Sequence, residues 1–189
     1  MAVKRKKASR GRVARRRAAG VAGRGSGRSG GPATELAEFE KQTAGARNWG
    51  HPGMAAVLKG ISVEEATWKP APDAHSIWEE VNHIIYWAED VLMQLENRGV
   101  PRPQAWPAAE GGGSEWKRAV ARAARVHAAL VRRIASMSPA ALNRKSQKTR
   151  YSNAQLILGG ISHTAYHTGR IALLKRVHQH VHQPAAPAV

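Results

Sequence analysis

From residue 34 to about residue 178, apolar side chains recur every three or four positions, the spacing of helices that bury one face. No stretch alternates with period two, so strands are not expected. Thr34 is placed to cap a first helix over Glu35 to Asn48, with Leu36, Phe39, Thr43 and Ala46 on its inner side, interrupted by Gly50 and Pro52. A short piece from Met54 to Lys59 follows, and then a turn opened by Ser62 and Glu65 that ends near Trp68. The same Ser-x-x-Glu capping box at Ser76 and Glu79 opens a second long helix. Its apolar row of Ile77, Val81, Ile84, Ala88, Val91 and Leu95 runs on to about Asn97, before Gly99 and Pro101. After a loop over 99–113, Ser114 is expected to cap a third helix with Trp116, Val120, Ala123, His127, Leu130 and Ile134 inward. Ser138 and Pro139 start another short turn, and Ser152 with Gln155 box the start of a last helix reaching about His178. The pattern predicts an all-α chain of four long helices and one or two short ones, packed as a four-helix bundle.

Composition refines this picture in two ways. The 189 residues, 42% of them hydrophobic, suit one domain with a real core. The chain contains no cysteine, so a transition metal would need nitrogen and oxygen ligands. The net charge of +17 is concentrated at one end: residues 1–32 carry eleven Lys and Arg side chains and no acidic one. That segment has almost no large apolar side chains and reads as a disordered basic tail, able to hold nucleic acid phosphates nonspecifically. The expected division is a tail over 1–32, a bundle over 33–180 and a frayed end over 181–189. No apolar run is long enough to span a membrane, and the basic start is not followed by an apolar leader core, so the expected location is the cytoplasm.

The candidate chemistry lies on the last helix. His163 and His167 are four residues apart and project from one helical face, in a row with Leu156, Gly160, Arg170 and Leu174 that is expected to point inward. Two imidazoles at that spacing supply two adjacent positions on a metal, and a bundle can bring a third from another helix. His83, beside the apolar row of the second long helix, is the best candidate. The three nitrogens would form an open site with room for water or substrate. Glu79 and Glu80 lie one turn before His83 and could orient it. His127 reads first as a hydrogen-bonded core histidine and second as a fourth ligand; His51 sits in a turn at a bundle end, near the pocket or merely in a loop. His178, His180 and His182 form an alternating tail able to chelate stray metal. Several chemistries are disfavoured. The pair His163 and His167 lacks the glutamate of a metalloprotease helix, Ser162 points about 100° away from His163, and neither glycine-rich stretch follows a strand as a phosphate loop would.

The segments NHIIYW (82–87) and SHTAYHTGRIALLKR (162–176), with DAHSIWE before the first of them and GHPG at 50–53, resemble the signature segments of the DinB/YfiT-like superfamily of helical bundles. The resemblance spans roughly residues 34–178. It implies one divalent metal ion on His83, His163 and His167, with zinc or nickel the first expectation, and it finds Tyr166 and Gly169 in place. It also implies a metal-dependent enzyme acting with a small thiol cosubstrate, an S-transferase or hydrolase-type activity. The alternative is a non-enzymatic, stress-associated binding module whose basic arm holds nucleic acid. Where that family usually has glutamine, this chain has Arg170, expected either to weaken metal binding or to recruit an anionic substrate. Bundles of this kind pair through exposed apolar faces, and Trp87 and Trp106 are candidates for such a homodimer face.

Overall fold

The computed structural model describes residues 30–98 and 105–182, which form seven helices in the order α1 (Pro32–Ala44), α2 (Met54–Leu58), α3 (Val63–Thr67), α4 (Ile77–Leu95), α5 (Gly113–Ala135), α6 (Pro139–Asn143) and α7 (Asn153–His182). No strand occurs among the described residues; isolated bridges between Arg47 and Pro52 and between Lys145 and Ser152 close two loops. The segment expected to be a basic tail lies, up to residue 29, outside the described residues. So do residues 183–189 of the expected frayed end. No helix among the described residues is long and apolar enough to cross a membrane.

The capping boxes read from sequence set three of the helix starts. Ser76 Oγ accepts from the Glu79 amide at 3.2 Å and the Glu79 carboxylate accepts from the Ser76 amide at 2.8 Å, so two of the free donors at the start of α4 are satisfied reciprocally. Ser152 and Gln155 do the same for α7, at 3.2 and 2.9 Å, and Ser62 accepts from the Glu65 amide at the start of α3. Two other starts differ from expectation. Helix α1 begins at Pro32 behind Gly31 and takes no cap from Thr34, because proline is pre-set for a first turn and needs no donor satisfied there. Helix α5 begins at Gly113, and Glu115 accepts from both the Gly112 amide and the Ser114 hydroxyl, which leaves Ser114 inside the helix.

The four longer helices make a closed ring of contacts, α1 against α5 and α7, and α4 against α5 and α7. Every residue of the apolar row predicted for α4 is buried. The inner faces of α1 and α7 are rotated from the expected ones. On α1 the buried residues are Ala33, Ala37, Glu40 and Thr43, while Phe39 is 48% exposed and Ala46 lies beyond the helix. On α7 they are Asn153, Ile157, Thr164, His167, Thr168 and Ile171; of the expected row His167 is buried as predicted, while Leu156, Gly160, His163 and Arg170 are half-buried along the flank facing α4. Helix α7 also continues through His182, past the expected end, with the His178 and His182 rings packed edge-on against Trp68.

Polar ties fix the shorter pieces. Lys175 Nζ donates to the carbonyls of Val57 and Lys59 at the end of α2, Trp116 Nε1 donates to the Ile61 carbonyl, and Arg133 donates to the Leu95 carbonyl at the end of α4. The GHPG turn needs its last glycine: a Cβ on Gly53 would stand 2.3 Å from the Gly45 carbonyl oxygen. Gly169, by contrast, lies inside α7 where an added Cβ meets nothing within 4 Å. The substitution Gly169→Ala is therefore expected to stabilise the chain by about 1 kcal/mol, raising the midpoint of thermal unfolding by roughly 2–4 °C. A lowered midpoint in a thermal melt would show that the helix needs glycine there.

Candidate metal centre

The antiparallel contact of α4 with α7 brings His83, His163 and His167 together, with one ring nitrogen from each lying within 4.8 Å of the others. His83 and His167 are buried, at 6% and 4% exposure, and His163 is half-buried. The two helices come close at Gly160, where an added Cβ would stand in van der Waals contact with Val91 Cγ2 at 3.4 Å.

Hydrogen bonds to the outer ring nitrogens assign the tautomers. His83 Nδ1–H donates to the Ala105 carbonyl at 2.6 Å, and His167 Nδ1–H donates to Glu80 Oε2 at 2.5 Å. Both rings then turn an unprotonated Nε2 toward the cluster. His163 Nε2 stands 3.1 Å from His83 Nε2, and since the latter is an acceptor, His163 carries the proton between them. Burial is the main cause that pushes the His163 pKa down to about 4, with the His167 and His83 rings adding to it. The His83 pKa is also lowered, chiefly by burial and against the pull of the Ala105 hydrogen bond. Near neutral pH the His83 and His163 imidazoles are uncharged, the state a metal ion requires.

The donor set fits a divalent ion. Two metal–nitrogen bonds of about 2.0–2.1 Å at a tetrahedral angle put the nitrogens roughly 3.3 Å apart, and the His83 and His163 nitrogens already stand at 3.1 Å. The Glu80 carboxylate behind His167 is the outer-shell partner that a metal-bound histidine ordinarily has.

Burial of the His163 ring also carries a consequence for stability. With a folded-state pKa of about 4 below an unfolded value of 6.5, the unfolded chain binds more protons between those limits. Metal-free protein is therefore expected to lose stability as pH falls from 6.5 toward 4, read as a falling denaturant midpoint, and His163→Ala should flatten that slope. An unchanged slope in the variant would assign the effect to other groups.

The other expected site residues fall into place around this cluster or away from it. Glu80 is fully buried and orients His167 across the helix interface; sequence spacing had pointed it at His83. Glu79 is engaged in the α4 cap and pairs with Lys69 at 2.9 Å. Arg170 does not face the three nitrogens. Its Nε lies 2.9 Å from Glu80 Oε1, an ion-pair contact without the alignment of a hydrogen bond, so that oxygen stays buried with no hydrogen-bond donor. Arg170 also donates to the Tyr166 hydroxyl at 3.4 Å, and Tyr166, 61% exposed, packs edge-on against His167. The cation thus neutralises the carboxylate behind the cluster and sits outside the donor set. His127 is buried elsewhere, donating from Nδ1 to Glu40 at 2.5 Å across the α1–α5 contact. His51 is exposed in the turn before α2, bonded to Asn48 and the Pro52 carbonyl.

Two functional positions escaped sequence reasoning. Trp106 lies flat between His75 and His83, stacked on each at 3.7 Å between ring centroids, and its neighbour Ala105 supplies the carbonyl that fixes the His83 tautomer. Asn82 anchors the same loop, donating to the carbonyls of Pro107 and Ala108 at 3.3 and 3.0 Å. Trp87 packs against His83 and His163. Both tryptophans expected on a dimer face thus wall the histidine cluster. The one available signal was Trp106 itself, the single aromatic residue in a loop rich in proline, glycine and alanine.

No curated protein and no solved structure matches the chain. A family model described as the DinB superfamily matches residues 50–171, a span that runs from the GHPG turn through all three histidines to Ile171. With about 65% of its length matched and the histidine cluster inside the matched span, the chain belongs to the DinB superfamily.

Proposed function

We propose that the chain is a four-helix bundle of the DinB/YfiT-like kind that binds one divalent metal ion through His83, His163 and His167 and works as a metal-dependent enzyme on a small thiol, of S-transferase or hydrolase type. The observation that carries this reading is the convergence of three histidine nitrogens with two of the tautomers fixed from behind. A divalent ion at this place supplies Lewis acidity, which lowers the pKa of a bound water or thiol toward neutrality. The protein's own groups do the rest. The Ala105 carbonyl and Glu80 hold protons on the outer nitrogens of His83 and His167, so both rings stay in the ligating form. Arg170 offsets the charge of Glu80, and Trp87 and Trp106 pack against the His83 ring and hold it in place.

Glu80 gives the reading a sensitive check. Glu80→Gln keeps the shape but gives up the charged acceptor, and zinc affinity is expected to fall by about 10–100-fold. The broader test is elemental analysis of tag-free protein, followed by conjugation of small thiols to monochlorobimane. About one equivalent of metal and thiol turnover that is lost in His163→Ala support the proposal. Metal-free protein after loading at neutral pH would end the metal reading, and turnover equal to that of His163→Ala would end the enzymatic one.

A further inference from the structure

A cavity of about 700 Å³ lies between α4 and α7 and has His83 and His163 in its wall, a volume in the range of organic ligand sites. Its sides are apolar: Trp87 and Val91 on α4, Leu156, Gly159 and Gly160 on α7. It is elongated along α7, since the eight steps from Gln155 to His163 cover about 12 Å at a rise of 1.5 Å per residue. At the end remote from the histidines it is bordered by Thr149 and Tyr151 of the loop between α6 and α7.

Several polar side chains of the wall are already engaged with the protein. Gln94 Nε2 donates to Asp90 at 2.7 Å, Gln94 Oε1 accepts from Ser146 at 3.0 Å, and Gln155 accepts from the Ser152 amide. The body of a ligand would therefore be held by apolar contact. Charge enters at the loop end. Arg144, Lys145, Lys148 and Arg150 stand exposed within seven residues that contain no acidic side chain. The loop is a bonded turn and not a loose one: the Ser146 amide donates to the Tyr151 carbonyl and the Asn153 amide to the Arg144 carbonyl, both at 2.9 Å. Thr149 and Tyr151, which line the cavity, flank Arg150, and the Arg150 guanidinium lies 5.5 Å from the Tyr151 ring. The basic side chains of this loop are the place for an anionic group of the ligand.

Gly159 explains how the space stays open. It lies inside a helix of 30 residues, where glycine is a poor helix former, and an added Cβ would meet nothing within 4 Å. No backbone or packing constraint calls for glycine here, and Gly159 is one of the residues that line the cavity.

We propose that this cavity binds an elongated anionic amphiphile, with its apolar body between α4 and α7, its negative end on the loop 144–150 and its reacting end at His83 and His163, and that Gly159 determines specificity by leaving room for the body. The reacting end rests on the metal reading above; the body and the anionic end do not.

The test uses the metal-free full chain and two fluorescent probes of the same shape, the anionic anilinonaphthalene sulfonate and the neutral N-phenylnaphthylamine. Gly159→Leu is expected to weaken both by about tenfold or more and Gly159→Ala by less than about twofold. The pair Lys148→Ala with Arg150→Ala is expected to weaken the sulfonate about fivefold and leave the neutral probe within about twofold, with the difference shrinking as salt rises. Leu156→Phe, on the same wall, provides a second block should Gly159→Leu lose helix content. Unchanged affinity for both probes in the blocked variants overturns the cavity assignment, and equal effects of the loop variant on both probes overturn the anionic end. A third arm separates the metal reading: octanehydroxamic acid should displace the neutral probe about tenfold more readily from zinc-loaded than from metal-free protein. Loss of that difference alone, with the other arms intact, removes the reacting end and leaves the apolar and anionic assignments standing.

Discussion

Replacing His163 by alanine is expected to lower zinc affinity by more than the ~100-fold seen when an outer-shell partner is lost, while helix content stays as it is. The reason is that this side chain has a chemical role with little structural one. It is half-buried, and among the described residues its one ring-nitrogen contact is the 3.1 Å approach to His83 Nε2. Alanine is also the better helix former. His167→Ala is a different experiment. It removes the hydrogen-bond partner of a carboxylate that is fully buried and leaves Glu80 with Arg170 alone, so both metal and stability should suffer. The two variants together separate ligand loss from unfolding. Affinity would be read by competition with a chromophoric chelator, in a background of His178→Ala and His182→Ala, because those rings stack at 4.1 Å near the end of α7 and can capture stray metal. Zinc binding in His163→Ala equal to the parent would place the ion somewhere other than the three-histidine cluster.

The cluster itself was legible in the sequence for a local reason. An i,i+4 histidine pair declares its common face wherever a helix forms, and the capping boxes at Ser76 and Ser152 fix where α4 and α7 begin. What could not be read was the wiring between helices. Glu80 meets His167 and Glu40 meets His127 over the same separation of 87 residues, and no local pattern announces either pairing. The same blindness rotated the predicted faces of α1 and α7. Apolar content put Phe39 inward, whereas the pairing of Glu40 with His127 turns the helix so that Phe39 is 48% exposed. On α7 the inward positions include Thr164 and Thr168, which periodicity counts as polar. Trp106 was hidden for another reason: it belongs to a loop with no period, and its place is set by stacking between two histidines that are eight residues apart in sequence.

The buried pair of Glu40 and His127 yields the largest expected effect on stability. Both side chains are at least 97% buried, and they meet at 2.5 Å between α1 and α5, away from the metal centre. His127 Nε2 has no partner of its own, so the contact with Glu40 is what keeps the imidazole tolerable in the core. Removing either partner alone strands a polar group without solvent. Glu40→Leu and His127→Leu are each expected to cost about 3–5 kcal/mol, a large share of the roughly 5–15 kcal/mol that holds a domain of this size together. The double variant should recover most of that loss, because two apolar side chains of similar volume need no hydrogen bond. Denaturant unfolding of the four proteins completes the cycle, and zinc affinity should stay within about twofold throughout, since neither residue touches the histidine cluster. Single variants that cost under about 1 kcal/mol, or a double variant as unstable as the sum of the two, would mean that the pair is not the unit that closes the α1–α5 interface.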